Sequence, residues 1–497
     1  LTLTGTNTYT GDTTISAGAL DISGRLGSGT YSGNISNSGT FTYSSNSDQT
    51  LSGIISGTGS LTKSGTGTLT LTGTNTYTGS TTISAGVLKL GNNTTTGTIN
   101  NSSIANNSEM VLDFSDDITI SSNISGTGTL EIVSRYYQLR SANGVDTTST
   151  SLSTLSWETV ASNNTVFEVL HRVAGGILHG TYVSGDDEAE AGVYEKTYDP
   201  ATNTATFFIR FNNGSTNNYT KQIKVQLQQN GNNVEAKVIT GAHNFLAGGQ
   251  ADIGGNNYIR LGENDTFSGD SEMATYATSK TAPGYGLKDL DFSNKYTFTG
   301  DLTHTGSTTL TNTTVEDGDG PSVGDDEYYK KFSKATMEIG GSGTLTSSPV
   351  TNDGNLIFST SSNNNLSTTI SGGGNVIIDG SGTTTLSGAN TYTGDTFVSA
   401  GTLAVSTNNA LGTNGTGTIV ASGATLDFQN VNYSTTETIT LNGGTIKTST
   451  GTSSFAGGVT LGANSTLDVD GTQLTLSGVI SDGANDYDIE KTGSGIL

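Results

Sequence analysis

The sequence predicts an all-β protein: a parallel β-solenoid (β-helix) carrying an inserted antiparallel β-sandwich or jelly-roll-like domain. Three observations lead there. A glycine-punctuated phrase recurs along the chain, apolar residues alternate with Thr and Ser within it, and one long internal stretch departs from the pattern. The 497 residues include 69 Gly and 4 Pro, with only 31% hydrophobic and 13% charged. Ordinary globular domains run at roughly 45–50% and about 25%. So few apolar side chains cannot fill one thick core. They can fill a thin core drawn out along an axis, where each short strand buries one face.

The repeat is the strongest of the three signals. The segment from Leu61 to Leu88 recurs 315 positions later as Val376 to Leu403. It keeps Gly65/Gly380, Gly67/Gly382, Leu71/Leu386, Gly73/Gly388, Asn75/Asn390, Tyr77/Tyr392, Gly79/Gly394 and Gly86/Gly401. Leu1 to Leu20 carries the second half of the same motif, with Asn7, Tyr9, Gly11, Ile15 and Gly18. A shorter phrase, I-S-G-x-G-x-L in type, runs through Ile55–Leu61, Ile124–Leu130 and Ile370–Val376, and Ser477–Ser481 opens it again. Pairs such as Leu69/Leu71 and Leu474/Leu476 alternate with Thr, the period of a strand with one buried face. Gly and Asn interrupt every five to eight residues and supply turns. The matched Asn75 and Asn390 fit either a stacked polar turn or a left-handed turn position.

This pattern, G-x-G-x-L-x-L-x-G-x-N-x-Y-x-G-x-T-x-(I/V)-x-x-G, resembles the autotransporter-associated β-strand repeat of large bacterial surface proteins. The close match covers residues 1–20, 61–88 and 376–403, with the start of another copy at 491–497. The resemblance implies a right-handed β-helical passenger region at the cell surface or outside the cell, with a structural or adhesive role. It implies nothing about a ligand, and no membrane barrel is recognisable in this sequence.

The two ends share one register. Glu490–Leu497 aligns with Thr62–Leu69, and both Leu69 and Leu1 lead into Thr-Leu-Thr-Gly-Thr-Asn-Thr-Tyr. Leu497 thus takes the motif position of Leu1, a period of 496 residues (497 − 1). Leu1 lies inside a repeated motif, so the sequence is expected to be part of something longer. The expected partners are identical units, head to tail, as a covalent tandem or a filament. Leu1, Leu3, Lys491, Gly493, Gly495 and Leu497 are the expected stacking residues.

Composition changes near Tyr136. Residues 134–340 hold 15 of the 20 Lys and Arg, all four His, the one Trp and three of the four Pro. The expected division is solenoid over 1–134, inserted domain over 135–295, and solenoid over 296–497 with an excursion at 315–336. Strands are expected at Thr165–His171, Gly180–Val183, Gly192–Tyr198, Thr204–Asn212, Lys221–Gln228 and Val234–Thr240. Turns are expected at Pro200–Asn203 and Gln229–Asn232. Side domains carry specificity where rungs carry shape. Tyr136, Tyr137, Trp157, Tyr182, Tyr258 and Tyr285 are therefore candidates to stack on a surface glycan, or else they form the domain core.

Chemistry is sparse. With no Cys there is no disulfide or thiolate site. A net charge of −24 without a basic run argues against nucleic acid, and no apolar stretch approaches the ~20 residues that cross a bilayer. Asp317, Asp319, Asp325, Asp326 and Glu327 are the best hard-oxygen ligands for Ca²⁺, though without EF-hand spacing. Asp113, Asp116, Asp117, Asp468 and Asp470 are the carboxylates a polysaccharide-cleaving β-helix would use. Of the solenoid's cations, Arg25, Lys63, Lys89, Lys447 and Lys491, none clusters with them in sequence, so no enzyme is expected.

Overall fold

The structure, a computed structural model, describes residues 1–99, 103–134, 136–140, 158–162, 165–177, 190–199, 202–212, 220–240, 289–317, 329–333, 335–413 and 417–497. Two compact units account for them. One is the solenoid, Leu1–Arg135, Asn294–Asn312 and Ala335–Leu497; the other is Tyr136–Ser293 with Thr313–Lys334.

The solenoid is a stack of about 16 turns built from strands of two to eight residues. Register partners stand 20 residues apart at Thr40↔Ser60 and Leu61↔Thr81, 19 at Leu69↔Leu88 and 23 at Ile83↔Asn106. Every ladder between its named strands is parallel, so each residue sits over its counterpart one turn away, ~4.8 Å off. Four sheets of seven to ten strands run along it. One inward column shows the consequence: Leu51, Leu71, Leu90, Leu112, Ile132 and Leu310 lie in register, all buried. Each such side chain contributes roughly 1.5–3 kcal/mol of burial, and Thr50, Lys89, Glu131 and Thr309, which alternate with them, are partly exposed.

Turns are constrained as tightly as strands. Gly33, Gly53 and Gly73 stack at one corner, where a Cβ on Gly73 would stand 2.2 Å from the Gly53 carbonyl oxygen. Only a residue without a side chain lets successive turns close to strand spacing there.

The second unit holds an eight-stranded antiparallel sheet, as the sequence predicts for the insertion. Its order is Tyr136–Arg140, Asp289–Ser293, Val173–Ile177, Glu190–Asp199, Thr204–Asn212, Thr220–Asn230, Asn233–Thr240 and Glu158–Ser162. Thr313–Asp317 and Tyr329–Ser333 form a separate antiparallel hairpin. One local expectation is corrected: Val166–Arg172 is a helix, where Thr165–His171 reads as a strand. Its β-branched residues suggest a strand, but Val166, Phe167, Val169 and Leu170 are all buried, which strict alternation does not produce. They form the apolar side of a short helix packed on Thr204–Asn212 and Thr220–Asn230. The expected strand Gly180–Val183 lies outside the described residues.

The solenoid ladder continues straight across both departures. Across the first, Thr129–Val133 pairs with Thr308–Thr311 and Ile118–Ile120 with Lys295–Phe298; across the second, Thr308–Thr311 pairs with Val350–Asn352 and Lys295–Phe298 with Thr336–Ile339. Buried polar groups hold the first junction. The Tyr296 hydroxyl accepts from the Phe114 amide at 2.9 Å and donates to the Val133 carbonyl at 2.8 Å, and Asn294 Nδ2 donates to the Phe114 carbonyl at 2.6 Å. At the second, Asn312 Oδ1 accepts from the Ala335 amide at 2.8 Å. Lys295 and Asn294 therefore belong to the rungs. Replacing residues 136–293 by a short Gly-rich turn should leave one cooperative unfolding transition by circular dichroism; loss of the β signal would show that the rungs need the insertion to fold.

Candidate functional site

The solenoid interior combines apolar columns with a recurrent polar pair. In each close repeat a Tyr reaches a Thr four residues on: Tyr9 to Thr13 at 2.8 Å, Tyr77 to Thr81 at 2.7 Å and Tyr392 to Thr396 at 2.6 Å. Burial pushes the Tyr77 and Tyr392 hydroxyls up from their ordinary value, so they act as neutral hydrogen-bonding groups. His304 takes the Tyr position in Leu302-Thr-His-Thr-Gly-Ser-Thr308, and its Nε2 lies 3.0 Å from Thr308 Oγ1. Thr308 meets Ser348 Oγ at 2.8 Å. This Ser–Thr–His chain is fully buried and replaces a tyrosine, so it is structural. His304 Nδ1 has no hydrogen-bond partner, and burial holds the ring down to about 4.

Asparagines stitch one turn to the next. Asn75 Oδ1 accepts from the Ile55 amide at 3.0 Å, and Asn390 Oδ1 from the Ile370 amide at 2.8 Å. Neither has positive φ, which removes the left-handed alternative for this pair. Lys63 serves the same end. It points inward, fully buried, and its ammonium donates to the Gly65 carbonyl and, at 3.1 Å, to the Ala85 carbonyl of the next turn. Burial lowers it to about 8.

Two solenoid lysines meet carboxylates with which they do not cluster in the sequence. Lys89 Nζ is 2.6 Å from Asp113, and Lys447 Nζ is 2.6 Å from both Asp468 and Asp470. The partners are 21 to 24 residues apart, one turn, so stacking joins what the linear sequence separates. The hydrogen bonds that Lys447 donates to Asp468 and Asp470 raise it to about 12, and Lys447 in turn lowers Asp468. Lys89 pairs with a buried Asp113, and a single Lys447 is shared by the partly exposed Asp468 and Asp470.

Glu437 is a strongly perturbed acid. Its carboxylate accepts from Thr418 Oγ1 at 2.9 Å, close to the Tyr392 and Tyr433 rings, and desolvation raises it to about 8.

Of the expected metal ligands, Asp317 ends a hairpin strand, and Asp319, Asp325, Asp326 and Glu327 lie outside the described residues. Among the described residues no group of three or more His, Asp or Glu side chains converges. Tyr136 and Tyr137 sit in the first strand of the insertion; Trp157, Tyr182, Tyr258 and Tyr285 lie outside the described residues.

The expected stacking residues fall on the two outermost turns. Leu3 packs partly against the core while Leu1 is 82% exposed. At the opposite turn Lys491 Nζ donates to the Gly493 and Gly495 carbonyls at 2.8 and 2.7 Å. Val479, Ile480, Ile489, Ile496 and Leu497 are exposed there. Ile480, Ile489 and Tyr9 are exposed where their inner-turn counterparts Ile55, Leu61 and Tyr77 are buried, while Val479 corresponds to Ile54, which is exposed as well.

Three segments match the passenger-associated-transport-repeat family, at residues 1–22, 61–90 and 379–405. They are the repeats that carry the Tyr–Thr pair and the inter-turn asparagine. The chain is also 41% identical over 151 residues to the "Adhesin BmaC autotransporter" of Brucella suis biovar 1 (strain 1330). That match takes in 26% of this chain and spans 4% of the adhesin's length. The relation to an autotransporter passenger and the β-solenoid fold agree with the resemblance seen in the sequence.

Two buried groups tie stability to pH. Glu437 is held protonated up to about 8 in the fold, whereas the unfolded chain ionises it near its ordinary value. Stability should therefore fall as pH rises between about 4.5 and 8 and level off above. Glu437→Gln should flatten that slope in denaturant titrations; an unchanged slope would assign it elsewhere. His304 works from the acid side: its contribution is complete above about 6.5 and is lost as pH falls towards about 4. His304→Tyr, which restores the repeat residue, should remove this part of the acid sensitivity while keeping the bond to Thr308.

Proposed function

We propose that the chain is part of an extracellular, surface-exposed passenger whose work is structural and adhesive, without catalysis. The observation that carries this is a ladder in register past both inserted segments, in a chain with three passenger-transport repeats. The likeness to an autotransporter adhesin supports the adhesive part. The solenoid acts as a stiff spacer: about 16 turns at ~4.8 Å give roughly 75 Å per unit. Units succeed one another head to tail with the 496-residue period of the motif (497 − 1). Adhesive contact is assigned to the inserted domain, where the cations and aromatics concentrate, with a surface glycan as the ligand class.

Electron microscopy of the native protein tests the spacer. A rod with an axial repeat of roughly 75 Å per unit and a lateral feature at each repeat is the expected image. Rods without periodic lateral features would remove the repeating-unit reading. Binding of the chain to a broad glycan array with Ca²⁺ present tests the adhesive part, and silence there would turn the insertion into a spacer element as well.

A further inference from the structure

The two outermost turns match each other in a way that the inner turns explain. Residues 69–86 and 1–18 are identical except at Ser80, where Asp12 stands. Within the chain, turn 69–86 is the surface on which residues 52–69 rest. Residues 477–497 have the plan of 52–69, Ser-Gly-(Ile/Val)-Ile-Ser at the start and Lys-x-Gly-x-Gly-x-Leu at the finish, with three extra residues in the intervening loop. We propose that turn 477–497 seats on turn 1–18 of a second copy of this chain, in the register that 52–69 holds on 69–86. This rests on the head-to-tail reading and names its contacts.

Each contact has an internal template. Ile55 N–H donates to Asn75 Oδ1; the equivalent pair is Ile480 N–H and Asn7 Oδ1. Val479 O accepts from Val459 N at 2.9 Å, as Ile54 O accepts from Ile35 N at 2.8 Å. Because C=O and N–H of one peptide point opposite ways, Ile480 N–H faces the open side. Asn7 donates through Nδ2 to the Gly5 and Arg25 carbonyls at 2.8 and 3.0 Å, and its Oδ1 accepts no hydrogen bond within the described chain. Leu61 N–H donates to the Ser80 carbonyl at 3.0 Å; here Ile489 N–H meets the Asp12 carbonyl. Lys63 reaches the Ala85 carbonyl; Lys491 meets that of Ala17. The strands concerned, Ile480–Ser481, Ile489–Thr492, Thr6–Asn7 and Thr13–Ile15, are all sheet edges. Ile480 and Ile489 on one side and Tyr9 on the other are exposed, whereas their counterparts Ile55, Leu61 and Tyr77 in the inner turns are buried, so such seating covers them.

The test is a two-copy chain in which Thr2 of the second copy is joined directly to Leu497 of the first, compared by hydrogen exchange with the single chain. In the single chain, peptides from 477–497 and 1–18 should exchange as open edges. In the two-copy chain each should split into two populations, one retaining the open rate and one slowed about tenfold or more towards the rate of 52–63. Asn7→Ala with Lys491→Ala at the junction should reduce that slowing. A single fast population, or a slow one indifferent to both substitutions, overturns the proposed register. Sedimentation of the single chain separates this from the head-to-tail reading. Rods whose formation ignores both substitutions leave stacking intact and sink the contacts. Monomers throughout, with a protected junction, keep the contacts and restrict them to covalently joined units.

Discussion

Everything in this molecule depends on one turn lying over the next in parallel register. A parallel ladder places like positions over like, so a residue's environment is set mainly by the residues one turn before and after. A side chain that fits one turn fits all, and a turn of different length must expel its surplus. The sites of departure obey this constraint. The large insertion and the hairpin both leave between strands, and Tyr296, Asn294 and Asn312 restore the hydrogen bonds of the ladder where the chain returns. The stack keeps its spacing across both departures.

Register also explains how a chain with 31% hydrophobic residues forms an ordered interior. The core is one side chain deep from each sheet, so a modest number of Leu, Ile and Val fill it. The remaining interior positions are polar groups that satisfy one another. Tyrosine to threonine, asparagine to the amide one turn away, and lysine to two carbonyls each leave few buried atoms unpaired. The cost appears where the substitution is imperfect. His304 keeps the Thr308 contact but brings a ring nitrogen with no partner, and Glu437 brings a carboxyl that burial keeps protonated. These two groups make the interior sensitive to pH from opposite sides.

Much of the architecture was legible in the sequence because a solenoid writes its period into the chain. The 315-residue offset, the alternation at Leu69/Leu71 and the stacked glycines marked rung, strand and turn. What escaped was anything that needed the true turn length. Lys89 with Asp113 and Lys447 with Asp468 look unrelated when they stand 21 to 24 residues apart, and only the fold makes them neighbours. His304 was visible in principle, since it stands four residues before a Thr as Tyr77 and Tyr392 do. In the insertion local signals conflicted. Val166, Phe167 and Val169 favour a strand by type, yet contacts distant in sequence made them helical. The ligand candidates among the aromatics and acids stayed beyond reach, because no repeat constrains them.

A stack held by nearest-neighbour contacts has stability that grows roughly in proportion to its length. Adding turns therefore lengthens the rod without asking for a new core, and the weak places are its outermost turns. In this chain the outermost turns use the same donors and acceptors as the inner ones, with Lys491 placed as Lys63 is and Asn7 as Asn75 is. A turn built to be buried carries its inward lysine and its asparagine acceptor wherever it occurs, because the motif specifies them together. In the inner turns these groups reach the neighbouring turn, as Lys63 reaches the Ala85 carbonyl and Asn75 the Ile55 amide. The motif that carries the apolar columns thus also specifies the polar contacts between one turn and the next.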